Sequence, residues 1–320
     1  MRFVARRLLH AALLLLAISI LSFALIQFAP GDFFDAMRLN PRVSAQTIEG
    51  LRSSYGVGKP LPVRYARWLI SAVRGDLGVS LAYNIPVAPL LVVRARNTLL
   101  LTSAAALFAW LLAFPIGIWC AAQRETTIDR MAGVGISSVL AVPDLLLFLA
   151  LLLLAVRTEW FPAGGIISMG SEQLGFFSRI KDVAWHLVLP AFGLSVAALP
   201  TLVRHVRTAM IQAMEAPFVR PARGHGIFGL RLFVRYVLPA ASNPLISLLG
   251  FSVATMLSAS LLVEVVLSWP GLGPLLVEAM FSRDIYVVVG AILFSAVFLV
   301  AGNFLADVLL YATDPRIRVE

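Results

Sequence analysis

Charge is scarce in this sequence. Only 13% of its 320 residues are Asp, Glu, Lys or Arg, against about 25% in an ordinary soluble domain. With 60% hydrophobic residues and a mean hydropathy of +0.89, too little polar surface exists to coat a 34.7 kDa globule. That excludes a soluble enzyme and a disordered chain. Cysteine is nearly missing: Cys120 stands alone, so no internal disulfide and no cysteine cluster can form. The four histidines, His10, His186, His205 and His225, show no H-E-x-x-H spacing, so no metal is expected. A phosphate-binding G-x-x-x-x-G-K-[ST] loop is absent, and Gly58–Lys59 runs straight into Pro60. No cofactor is expected. Lysine is represented only by Lys59 and Lys181 among 26 basic residues, which reads as base composition rather than function.

What is present is a series of long apolar runs. A spanning helix needs about 20 apolar residues, at 1.5 Å each across about 30 Å of hydrocarbon. Six stretches qualify: 8–29, 98–122, 131–156 (interrupted only by Asp144), 183–203, 237–263 with Glu264 at its far end, and 285–306 followed by Asp307. The expected fold class is all-α, a polytopic membrane protein with six transmembrane helices. Arg2, Arg6 and Arg7 before the first run resemble a signal peptide. The run is too long for one and has no small-x-small cleavage site, so a retained anchor is expected.

The net charge of +9 does not imply a nucleic-acid partner, since the basic residues form no run and no aromatic ladder. They follow the positive-inside rule instead. With the N-terminus inside, 13 Lys and Arg fall on cytoplasmic pieces and four on the two short outer loops. Both termini are therefore expected in the cytoplasm. The nine between residues 30 and 96 lie in a segment too long to count. That segment carries Pro30, Pro41, Pro60, Pro62, Pro86 and Pro89 with Tyr65, Trp68 and Leu69 between them, and reads as a small folded outer subdomain. Trp110, Trp119, Trp160, Trp185 and Trp269 are expected at membrane interfaces as an aromatic belt.

The inner segment between the fourth and fifth runs breaks the pattern. Residues 215–223 are expected to form one short amphipathic helix, with Pro217 in its first turn and Gly224 and Gly226 ending it. Residues 227–236 are expected to follow as a second helix, with Leu230, Phe233 and Val234 on one face and Arg231 and Arg235 on the other. Two such helices across the cytoplasmic face either pack on their own bundle or lipid, or dock another subunit.

This segment resembles the cytoplasmic signature of the membrane subunits of ATP-binding-cassette importers, the so-called EAA loop. Glu215, Ala216, Phe218, Val219, Arg220, Ala222, Arg223 and Gly226 fall on it, with Arg235, Leu238 and Pro244 following at the right distances. Tyr236, Pro239, Pro221 and the pair Gly224–His225 depart from the usual residues; Pro221, in an expected helix interior, would cost about 3 kcal/mol. Nearly the whole chain is similar to the dipeptide, oligopeptide and nickel permeases. The resemblance runs through Arg6–Arg7–Leu8–Leu9, Pro30–Gly31–Asp32, Gly75–Asp76–Leu77–Gly78, Ser80 and Trp160–Phe161–Pro162. It continues through Pro270–Gly271–Leu272–Gly273 and Arg283–Asp284 to Asn303, Asp307, Tyr311 and Asp314–Pro315–Arg316–Ile317–Arg318.

The resemblance implies a type I importer permease fold. Its parts would be a first helix (1–29), an outer subdomain (30–96), a five-helix core (97–311) containing the coupling loop (211–236), and a cytoplasmic tail (312–320). It also implies a passive subunit in a bacterial or archaeal cytoplasmic membrane. Its partners would be a second homologous permease, two ATPase subunits that carry out all ATP hydrolysis, and an extracytoplasmic solute-binding protein. Peptides are the implied cargo, with nickel, glutathione or another small solute as alternatives. A stand-alone secondary transporter would need inverted repeats and matched broken spans, and a membrane enzyme would need clustered catalytic side chains.

For Glu215 the expectation is a carboxylate at the N-terminal end of the docking helix, complementing its dipole or pairing with the ATPase. Arg220 and Arg223 share a helical face toward the ATPase or anionic lipid. Gly226 permits a chain reversal. Asp144, mid-span after Pro143, lines the substrate path or makes an interhelical bond. Glu264 and Asp307, near span ends where snorkelling lowers the cost, are assigned structural roles, as are Gly271 and Gly273.

Overall fold

The computed structural model describes residues 2–28, 33–38, 44–54, 60–168, 170 and 175–313. Pro30–Gly31–Asp32, Pro41, Lys59 and the terminal run from Asp314 to Arg318 lie outside these. Among the described residues the chain is helical, and its only β feature is an isolated bridge between Val79 and Pro86. The helices are α1 (Arg2–Phe28), α2 (Phe33–Arg38), α3 (Ala45–Ser54), α4 (Leu61–Val73), α5 (Val87–Ala122), α6 (Thr127–Leu140) and α7 (Asp144–Thr158). They continue as α8 (Phe176–Met214), α9 (Val219–Gly224), α10 (Gly229–Leu232), α11 (Leu238–Val266), α12 (Leu272–Phe281) and α13 (Ile285–Thr313). A π-helical turn, Phe233–Val237, joins α10 to α11 without a break.

Five helical segments are long and apolar enough to cross a membrane, six if the bent pair α6–α7 counts as one. The chain is a multi-pass membrane protein. The sequence reads the third run as one span with Asp144 in its middle. Instead α6 and α7 meet at 85°. Pro143 lacks an amide donor and pushes Val142 out of the helical region. The chain turns there, and α7 starts at Asp144 with Pro143 as its N-cap residue. Apolar composition records length but not direction, so the bend was invisible to it. Conversely, the fourth run understates its helix. At 39 residues, α8 is about 58 Å long, well beyond the hydrocarbon thickness.

The described chain divides into two compact units. One comprises residues 1–98 and 270–298. Here α1 packs on α4: the Ser19 and Tyr65 hydroxyls are 2.8 Å apart, and the Phe23 and Trp68 rings lie 5.9 Å apart. The Trp68 indole donates to the Leu77 carbonyl at 3.2 Å. Gly75 and Gly78 turn the chain with φ of +87° and +94°, and Gly78 does so against the Tyr286 ring. Asp284, wholly buried, receives the Ser80 hydroxyl at 2.6 Å and the Ala82 amide at 3.1 Å. Tyr83 donates to Glu278; burial first, and then that carboxylate, push its phenol up to about 12. Gly271 is the N-cap residue of α12 and, like Gly273, is buried. The Leu272 amide is held by the Thr98 hydroxyl at 2.9 Å.

The other unit comprises residues 99–269 and 299–320. Here α8 packs along α11, α6 and α7. Helices in lipid gain little from hydrophobic burial against one another, so close approach and interhelical hydrogen bonds carry the association. Ser195 on α8 donates to the Ala105 carbonyl of α5 at 2.9 Å. The Trp110 indole donates to the Ser252 hydroxyl on α11 at 2.9 Å. Small residues sit where backbones meet: a Cβ on Gly117 would lie 2.7 Å from Val206, and one on Gly250 would lie 2.4 Å from the Ala306 Cβ. Gly250→Leu is therefore expected to push α11 from this part of α13 and cost about 2 kcal/mol or more, read as a lower melting temperature in detergent. An unchanged melting temperature would contradict the packing.

Two expectations need correction here. Trp269 is wholly buried and Trp110 is half-buried and hydrogen-bonded, so neither belongs to an interfacial belt, whereas Trp119, Trp160 and Trp185 are exposed. Glu264 is wholly buried rather than snorkelling, with the Trp269 amide bonded to its backbone carbonyl. Asp307 is half-buried.

Candidate functional site: the α8–α11 connection and the cavity behind Asp144

The segment from the end of α8 to the start of α11 is built differently from its expected form. The α8 helix runs through Met214, and Glu215 is its C-cap residue. Residues 215–218 make a turn, with the Val219 amide bonded to the Ala216 carbonyl at 2.9 Å. Only then does the six-residue α9 begin. A carboxylate at a helix C-terminus opposes the dipole instead of complementing it, so the dipole argument for Glu215 does not hold. Arg124, from the connection between α5 and α6, compensates by pairing with Glu215. That contact raises the Arg124 pKa, through the hydrogen bond first and the charge second.

A second ion pair lies beside the first. Arg207 on α8 clamps Asp129 on α6 with two bonds, Nε to Oδ1 at 2.9 Å and Nη2 to Oδ2 at 2.6 Å. Asp129 is 9% exposed and also receives the Glu125 amide at 3.1 Å. Thr126 caps α6 through the Asp129 amide at 3.3 Å. The clamp thus ties the 123–126 turn and the start of α6 to the last turns of α8. Sequence reasoning missed it. Its trace is Thr126 three residues before Asp129, an N-terminus pattern, while Arg207 was only counted among inside charges.

Pro221 is the third residue of α9. Amides of the first turn have no intrahelical acceptor, so its missing donor costs nothing and the expected penalty of a helix interior does not apply. The end of α9 is a Schellman motif. The Ile227 amide bonds to Ala222 at 3.1 Å and the Gly226 amide to Arg223 at 3.0 Å, with Gly226 at φ +77°. A Cβ there would meet nothing, so the requirement is conformational. Gly224 is the last helical residue and His225 caps it, its ring 2.8 Å from the Pro221 carbonyl.

Val219 and Ala222 are buried, anchoring α9, while Phe218, Arg220, Pro221 and Arg223 are exposed. Ala216 is half-buried. The second expected helix is a short extension of α11. It packs through Leu232 and Val237, with Phe233 and Tyr236 half-buried. Leu230 and Val234 are exposed, at 77% and 53%, so two of the three residues of the expected apolar face point outward and only Phe233 packs inward. The result is an exposed surface of Phe218, Phe228 and Leu230 studded with Arg220, Arg223 and Arg231.

Asp144 is not part of this group. It opens α7 and lines a cavity of about 350 Å³ with Thr201 of α8 and Ser252, Thr255 and Met256 of α11. Pro143 serves it by starting α7 at that point.

Comparison with known proteins agrees with this layout. Residues 113–319 match the family described as the binding-protein-dependent transport system inner membrane component. Residues 1–102 match the N-terminal model for the membrane components of such systems. The oligopeptide transport system permease protein AppB of Bacillus subtilis is 35% identical over 99% of each chain. The dipeptide transport system permease protein DppB of Escherichia coli K12 is 30% identical over 99% of each. Among solved structures, an inward-facing MetNI methionine ABC transporter chain superposes with a TM-score of 0.57 at 17% identity, covering 70% of this chain and 96% of that one. This likeness shows a shared fold.

Proposed function

The chain belongs to the family of inner membrane components of binding-protein-dependent transport systems, and on that premise we propose that it is the peptide-translocating permease of an ATP-binding-cassette importer. It pairs with a second, similar permease in a bacterial or archaeal cytoplasmic membrane, with both termini inside. A solute-binding protein delivers cargo from outside. Separate ATPase subunits dock on the segment 215–236 and carry out all ATP hydrolysis. The peptide cargo rests on the relatives named for oligopeptide and dipeptide transport.

The observation that carries the docking role is the exposed face around α9. A short helix anchored by Val219 and Ala222 presents Phe218, Arg220 and Arg223 outward, on the polar side of helices that run beyond a membrane's thickness. Aromatic and arginine side chains together suit a protein interface. The ion pairs fix the end of α8 to α6 and to the 123–126 turn, and α9 follows that end after one short turn, so a displacement of a docked ATPase is passed to the spans. Driving force comes from the different affinity of ATP for two states of the assembly, not from chemistry in this chain. The test is uptake by the assembled complex in proteoliposomes. Labelled tripeptide is expected to accumulate only with ATP inside and binding protein outside; ATP-independent uptake by this chain alone would replace the importer with a self-sufficient carrier.

A further inference from the structure

The cavity behind Asp144 holds one charged group and no counter-charge. It is lined by α7, α8 and α11, and its lining contains no Lys, Arg or His. Its walls are otherwise apolar, with Leu194, Phe251 and Met256 among them, and its neutral polar side chains are hydroxyls. The Ser252 hydroxyl is already engaged, accepting from Trp110 at 2.9 Å and donating to the Leu249 carbonyl at 2.7 Å. Thr255 donates to the Ser252 carbonyl at 3.0 Å. Among the described residues, the Asp144 carboxylate makes no hydrogen bond or ion pair, and it is exposed toward this space. Asp144 falls within the apolar run 131–156, and a carboxylate inside a spanning run is costly and marks a candidate ligand path.

The geometry points to Asp144 as the counter-ion for the primary ammonium at the N-terminal end of a peptide in transit. This rests on the peptide-permease function above. One carboxylate with hydroxyls is too few ligands for a divalent cation, which takes six or more oxygens or several nitrogen and sulfur donors. With no cation in the lining, nothing here meets the peptide's carboxylate end, so that end is met elsewhere. Apolar walls accept side chains without discrimination. The charge common to every unblocked peptide is thus the feature recognised, and the contact is a charge-assisted hydrogen bond in a partly desolvated site.

The test is equilibrium binding of a labelled tripeptide to the purified complex in nanodiscs, without solute-binding protein. The same tripeptide is compared with a free and with an acetylated amino terminus. Wild type is expected to bind the free-amino form about tenfold more tightly. Asp144→Asn is expected to abolish that preference while leaving affinity for the acetylated form unchanged, which a collapsed cavity would not do. Asp144→Glu is expected to keep the preference. Equal affinities in wild type, a preference surviving in Asp144→Asn, or no binding of either peptide would each overturn the assignment. Uptake with binding protein present separates the two levels: uptake without an Asp144-dependent preference removes this site alone, and failure to take up any peptide removes the function as well.

Discussion

Replacing Arg207 by Ala is expected to lower the melting temperature of the purified complex by several degrees and to uncouple ATP hydrolysis from transport. The clamp on Asp129 is bidentate and charge-assisted, at 2.9 and 2.6 Å. Asp129 is 9% exposed, and the Arg207 side chain is 32% exposed. Removing the guanidinium strands a largely buried carboxylate. Breaking a fully buried pair costs about 3–5 kcal/mol; the partial exposure of Arg207 reduces that to about 2–3 kcal/mol. For 320 residues, at about 2.1 cal/mol/K of unfolding entropy each, one kcal/mol is worth about 1.5 °C. Arg207→Lys keeps the charge but loses the fork, so it should recover only part of the loss. Combining Arg207→Ala with Asp129→Asn should cost less than the sum of the two single changes, because the second change removes the stranded charge. The functional readout is the ratio of peptide transported to ATP hydrolysed, which should fall in Arg207→Ala more than basal hydrolysis does. A variant with unchanged melting temperature and coupling ratio would remove the clamp from the mechanism.

That clamp also marks where sequence reasoning stops. Apolar runs announce spanning helices because lipid demands about 20 such residues, so α1, α5, α8, α11 and α13 were legible within a few turns. Direction was not: the run 131–156 hides the 85° bend at Pro143. Pairings were not either, since Asp129 and Arg207 are 78 residues apart, and nothing in a single sequence joins them. Motif residues were legible as a set, but not their geometry. Glu215 lies at the end of α8 facing Arg124, not at the start of a docking helix, because the turn 215–218 intervenes. Pro221 is disruptive only in a helix that begins at Glu215; with α9 beginning at Val219 it falls in the first turn.

Gly226→Pro is expected to abolish transport with the chain still inserted in the membrane. Gly226 stands at φ +77°, and proline holds φ near −65°. The Schellman bonds from Ile227 and Gly226 would be lost, one of them for want of a donor. The exit from α9 would then point elsewhere, displacing Phe218, Arg220 and Arg223 relative to Phe228 and Leu230. Gly226→Asn, which tolerates the left-handed region, should retain most activity, and Gly226→Ala should fall between, at a cost of about 1–2 kcal/mol. That order, Asn above Ala above Pro, separates a conformational requirement from loss of a contact, since a side chain there meets nothing. Equal uptake by all three variants would show that the reversal at Gly226 is dispensable.

The most direct measurement is co-purification of the tagged chain from detergent-solubilised native membranes, wild type beside Gly226→Pro. A second permease and an ATPase are expected with the wild type. The second permease alone is expected with Gly226→Pro, because the change is confined to the segment proposed to dock the ATPase. A wild-type chain that purifies without any ATPase would contradict the docking role of residues 215–236 and, with it, the importer.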